Sequence, residues 1–235
     1  MRPFSSSDLL DVWERGSGLH ALDRGLLALT LVFSDRVGAS PADWTLGRRN
    51  RALIDLHGLL FGPTLEGWAT CAICGERMEF EIDSRDLVSR YPAETDGETV
   101  SIKEHIFRLP SSRDLAEAAL QADPNAAALW LLEHCRMNKN ENMCWSPDDV
   151  EQVSEMMADA DPMAEIQLAL DCPKCGNASN EVLDIVNFLW SKIDATARRL
   201  LWEIHAIACQ YGWTQGEILS LSPARRSLYL GMVQA

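Results

Sequence analysis

No stretch of the sequence approaches the ~20 consecutive apolar residues that a membrane-spanning helix needs. The opening residues, MRPFSSSDLLDVWERG, lack the apolar core of a secretion signal, so a cytoplasmic protein is expected. Positive charge is scarce as well: 21 basic residues face 35 acidic ones, a formal net charge of −14. Nucleic-acid backbones are bound chiefly through Lys and Arg, so a surface this acidic argues against them as partners. Plain solubility accounts for the charge equally well. Common catalytic signatures are missing too. There is no nucleophile elbow, H-E-x-x-H helix, phosphate-cradling glycine loop or dinucleotide-binding fingerprint. The five histidines, at 20, 57, 105, 134 and 205, fall on separate predicted elements. No catalytic residue is assigned.

What the chain does hold is cysteine in a pattern. Seven cysteines, an odd number, fit a reducing compartment better than a disulfide framework. Four of them form two copies of Cys-x-x-Cys-Gly: Cys71 and Cys74 before Gly75, and Cys172 and Cys175 before Gly176. The flanks of each pair read as strands. LEGWA leads into the first and RMEFEID follows it, with Met78, Phe80 and Ile82 alternating against Glu79, Glu81 and Asp83. AEIQLAL leads into the second and NEVLDI follows. Two thiolates at this spacing bind zinc, and the glycine permits the positive φ of a tight knuckle. Together the knuckles supply the full ligand set of one closed structural site, with one zinc per chain expected. Two incomplete knuckles are the alternative. A redox role would need one pair at a helix N-terminus in a βαβ unit, which neither has. Cys209 is expected as a core thiol on an apolar stripe with Leu201, Ile204 and Ala208. Cys135 and Cys144, with His134 adjacent, leave room for a second metal site.

The remainder reads as helices. SSSDLLDVWER, LHALDRGLLALTLVF and GRRNRALIDLHGLLFG make a helical N-terminal part over 1–62, the last stopping at Gly62-Pro63. After the first hairpin (65–83), TVSIKEHIFRLP reads as a single strand, and SSRDLAEAALQ, DPNAAALWLLEHCRM and SPDDVEQVSEMMADA as helices. The second hairpin (164–185) precedes a helical C-terminal part, 186–235. The expected fold is α+β: one compact, mostly helical domain whose two zinc knuckles meet as a zinc-ribbon-like element. Trp213 and Tyr229 beside the basic pair Arg225 and Arg226 make the C-terminal stretch the candidate partner-binding surface, since aromatic side chains anchor interfaces.

The segments RRNRALIDLHGLLFGPTLEGWATCAICGERMEFEID, FRLPSSRDLAEAAL, DPMAEIQLALDCPKCG and FLWSKIDATARRLLWEIHAIACQYGWTQGEILSLSPARR, taken in order, resemble a family encoded in phage-tail-like contractile injection clusters and myophage-type tail operons. The chain is also similar to the baseplate hub assembly chaperones of T-even phages. The resemblance to the injection-cluster members covers nearly the whole sequence; the cysteines do not carry over to the T-even proteins. It implies a non-enzymatic assembly factor or structural component of the baseplate or hub, with baseplate, hub or spike proteins as partners, in the cytoplasm or built into a phage-like particle. The competing expectation is a zinc-ribbon regulatory protein binding nucleic acid or transcription machinery, which should carry a basic stripe near its knuckles. Here Glu76, Arg77, Glu79 and Glu81 follow one pair and Lys174, Asn180 and Glu181 attend the other. A hydrolase would need an open metal position, with water as the fourth ligand.

Overall fold

The computed structural model describes residues 4–33, 38, 40–91, 99–138 and 145–233. The protein is α+β, helices alternating with three separate two-stranded antiparallel hairpins. The single domain expected from the sequence divides into two compact units: Ser34–Val186, and a second assembled from Met1–Phe33 and Asn187–Ala235.

The unit of the chain ends contains α1 (Ser6–Gly16), α2 (Ala21–Val32), α8 (Ile185–Tyr211, which begins two residues before the boundary), α9 (Gln215–Ser220) and α10 (Pro223–Val233). Ser5 and Asp8 form a reciprocal capping box that starts α1. Along α8 beyond its first turn the buried positions are Leu189, Ile193, Ala197, Leu200, Ile204 and Ile207, steps of three and four that trace one helix face. Cys209 lies off that stripe and is exposed, and Leu201 is 39% exposed. The core assignment for this thiol is therefore corrected. The helix is apolar over much of its circumference, so the sequence did not mark which stripe is covered. Trp13 donates from Nε1 to Asp194 Oδ1 (2.7 Å), and Gly16 lets the Trp190 ring lie where a Cβ would be only 2.4 Å away.

The middle unit runs from a 3-10 turn (Pro41–Asp43) into α3 (Leu46–Phe61), which Gly62 ends at φ 93°. Then come β1 (Thr64–Thr70), β2 (Arg77–Asp83), α4 (Ser84–Ser89), β3 (Thr99–Ile102), β4 (His105–Arg108), α5 (Ser112–Ala118), α6 (Pro124–Cys135), α7 (Pro147–Ala160), β5 (Gln167–Asp171) and β6 (Ala178–Val182). TVSIKEHIFRLP is not one strand but the β3–β4 hairpin, reversed at Lys103 with φ 54°. A two-residue turn of this kind normally announces itself with Asn-Gly or Asp-Gly. Lys-Glu gives no such signal. The hairpin packs Val100, Ile102 and Phe107 with Leu109, Leu132 and Val153 in an apolar cluster roofed by Trp145.

Polar groups fix the start of α3. Arg49, 8% exposed, donates to Asn50 Oδ1 and Ser112 Oγ, and Asn50 donates onward to the Met163 and Ala164 carbonyls. Asp161 Oδ2 accepts from the Gly47 backbone N–H at 2.8 Å, capping α3 from 114 positions away. These bonds tie α3 to the segment that leads into β5.

Candidate metal centre

Both cysteine pairs sit at hairpin tips. In the first, the register closes at Thr70 opposite Arg77. Cys71 N–H then donates to the Glu76 carbonyl (2.8 Å) and Gly75 N–H to the Cys71 carbonyl (2.9 Å). The second repeats this with Cys172 N–H to the Asn177 carbonyl and Gly176 N–H to the Cys172 carbonyl, both 2.9 Å. Gly75 and Gly176 have φ 72° and 71°, a conformation a Cβ would strain. Two unrelated stretches of chain thus build the same turn.

The four sulfurs come together, all within 4.8 Å of one another. The closest approaches are between hairpins: Cys71 Sγ to Cys175 Sγ at 3.7 Å and Cys74 Sγ to Cys172 Sγ at 3.6 Å. Thiolates ~2.3 Å from a tetrahedrally bound ion stand about 3.8 Å apart, so these spacings suit a shared metal. Cys71 and Cys172 are buried, Cys74 is half-buried and Cys175 exposed. The backbone also addresses the sulfurs. The Cys172 thiol is lowered to about 7, first by the Cys175 backbone N–H and then, against burial, by that of Lys174. The Cys74 thiol receives the Glu76 N–H, yet burial and proton-sharing with its three neighbours push it up. The backbone N–H donors thus favour the thiolate at Cys172, whereas burial and crowding hold Cys74 and Cys175 toward the neutral thiol, a balance that a bound cation would shift to the thiolates. A further clasp, absent from the sequence expectations, is the Lys174 ammonium on Glu76 Oε2 at 3.1 Å, joining one tip to the other.

Little else holds the tips together. Their apolar contact consists of Cys71, Met78 and Cys172 with Ala69, Cys74 and Leu170 around them. Among the described residues, no other group of three His, Cys, Asp or Glu side chains could hold an ion. Cys135 is buried at the end of α6, and Cys144 lies outside the described residues.

Of the residues proposed as a partner surface, the aromatic ones cluster and one of the basic pair is buried. Trp213, Tyr211 and Tyr229 pack ring against ring, with centroids 4.9 to 5.6 Å apart. Arg225 is exposed. Arg226 is not available to a partner: 3% exposed, it pairs with Glu203 Oε2 (3.1 Å) and donates to the Leu221 carbonyl (2.8 Å) and Ser6 Oγ (3.3 Å). Adjacent arginines on a helix point about 100° apart, so one of such a pair commonly turns inward. Leu228 and Met232 of α10 are exposed beside Tyr229 in sequence, 66% and 65% respectively.

No helix among the described residues is long and apolar enough to cross a membrane. Comparison of the chain with protein-family models, with curated proteins and with solved structures gave no match in any of the three.

Proposed function

We propose that this chain is a non-enzymatic assembly factor or structural component of the baseplate or hub of a contractile, phage-tail-like particle, held in shape by one structural zinc ion in a zinc-ribbon-like element. The observation that carries the structural role is the four-cysteine cluster. Four thiolates complete the coordination of a tetrahedral ion, leaving no position for water or substrate, so such an ion would staple two hairpins instead of doing chemistry. The assignment to a contractile particle rests on the resemblance of the ordered sequence segments, and the exposed apolar side chains of α10 fit a protein that works by contact. The regulatory alternative is weakened at the knuckles, where Arg77 is paired with Glu79 and Lys174 with Glu76. Those pairs leave no basic stripe along the tips.

The test is deletion of the gene in a cell that makes such particles, with electron microscopy of the product. Absent or misassembled particles with unchanged transcription of the cluster support the role. Normal particles would remove it. Elemental analysis of the purified protein tests the ion separately, with one zinc per chain expected.

A further inference from the structure

The two knuckle hairpins are alike at their tips and unlike along their strands. On the outer face of β5–β6 the opposed residues are Gln167 and Val182, Ala169 and Asn180, Asp171 and Ala178. On the outer face of β1–β2 they are Glu66 and Glu81, Trp68 and Glu79, Thr70 and Arg77, all exposed. Forming the knuckle does not require that second set, since the other hairpin forms it without aromatic residues or opposed carboxylates on this face.

Three features of this face point outward. Trp68 is 58% exposed in the middle of it. The face lines an open groove of about 470 Å³, formed with Gly67 and Phe80, a size typical of recognition pockets. Glu66 stands directly opposite Glu81, an arrangement that costs stability between like charges. Neither carboxylate has an ion pair with a described residue. The chain itself shows what the face accepts. The Arg77 guanidinium lies 5.0 Å from the Trp68 ring centroid and pairs with Glu79 at 3.3 Å, a cation stacked on indole and held by a carboxylate. Glu66 and Glu81 offer the same chemistry with the cation missing.

We propose that the outer face of β1–β2 docks an arginine-bearing segment of a protein partner, with a guanidinium packed on the side of Trp68 away from Arg77, where the register places Glu66 and Glu81 to hold it. Arginine suits it better than lysine because a planar guanidinium both stacks on an aromatic face and engages carboxylates in a fork. Desolvating the two opposed carboxylates around a cation removes the repulsion they bear in the free protein. The site belongs to the middle unit and shares with the assembly role only the need for a protein partner.

Calorimetric titration with an unstructured peptide of alternating glycine and arginine, at about 0.15 M salt to suppress long-range attraction, is the test. The matching glycine–lysine peptide should bind several-fold more weakly. Trp68→Ala and the double variant Glu66→Gln/Glu81→Gln should each weaken the arginine peptide by about tenfold. The control Glu151→Gln/Glu155→Gln, on exposed positions of α7, should change it less than about twofold. Melting and metal content establish that each protein is folded, and the double variant answers the question even if Trp68→Ala is damaged. Equal losses in the control would show diffuse attraction to an acidic protein and overturn the proposal, as would no binding by the unaltered protein. Because binding is read and not particle formation, this result stands apart from the deletion experiment.

Discussion

Replacing Cys172 with Ser removes one ligand from the cluster, and its effect follows from how the tips are joined. The sulfurs that meet belong to residues 104 and 98 positions apart. Cross-linking a loop of that size restricts the unfolded chain by about 4–5 kcal/mol on a chain-entropy estimate. Among the described residues a small apolar patch and one exposed Lys–Glu bridge also join tip to tip, and an exposed bridge contributes about 1 kcal/mol or less. Losing the ion should therefore cost the middle unit about 4 kcal/mol. For a unit of this size that corresponds to a fall in melting temperature of roughly 8–16 °C. Calorimetric melting with elemental analysis is the assay, and chelator treatment of the unaltered protein should reproduce the shift. Cys209→Ser, at an exposed position, should change neither melting nor metal content. A Cys172→Ser protein that keeps a full equivalent of metal and melts normally would refute the shared site.

Other outcomes follow from buried polar groups. Arg226→Ala should destabilise the unit of the chain ends by about 3 kcal/mol, because Glu203 keeps its charge and loses the closer of its two arginine partners, retaining only Arg199 at 3.7 Å, whereas Arg225→Ala should change melting little. Gly47→Ala would put a Cβ 1.7 Å from Asp161 Oδ1 and displace the cap of α3; a loss of about 2 kcal/mol or more is expected in denaturant melts. The Asp114 carboxyl is held at about 2, since hydrogen bonds from Arg108 and Ser111 outweigh the upward push of burial. Its native value lies below its unfolded one, so its stabilisation, about 2 kcal/mol, is complete above about pH 5 and is lost as pH falls through 2. Asp114→Asn should flatten that part of the acid-melting profile and, by ending the Arg108 pair, lower stability at neutral pH.

The four-cysteine cluster was legible because its pattern is local. Cys-x-x-Cys-Gly between alternating strands specifies a knuckle wherever it occurs, and two copies together imply a full ligand set. Pro147 after Ser146, and Gly62 before Pro63, announced helix limits in the same local way. What escaped depended on tertiary choice. Both faces of α8 carry apolar residues, so Cys209 and Ile207 could not be sorted without knowing which face is covered. Arg225 and Arg226 have one composition and opposite fates, decided by Glu203, 23 positions earlier. The β3–β4 turn uses a lysine in a left-handed conformation that its type seldom adopts. The division into two units left no mark of composition at its boundaries, since α8 runs through one of them without a break.

The unit built from both chain ends sets a timetable for synthesis. Helices α1 and α2 leave the ribosome before the middle unit, carrying Leu9, Leu10, Val12, Ala28, Leu29 and Val32, which are buried in the finished protein. Their partners on α8 and α10 emerge only after roughly 150 further residues, an interval of roughly 8–30 s at ordinary elongation rates. The middle unit, one continuous stretch of chain, can fold within that interval and bring its two cysteine pairs together. The N-terminal pair must wait for α8 and α10. A nascent chain of this protein therefore passes through a stage in which its middle is native and its first two helices are adhesive, a stage that ends only when α8 and α10 are made.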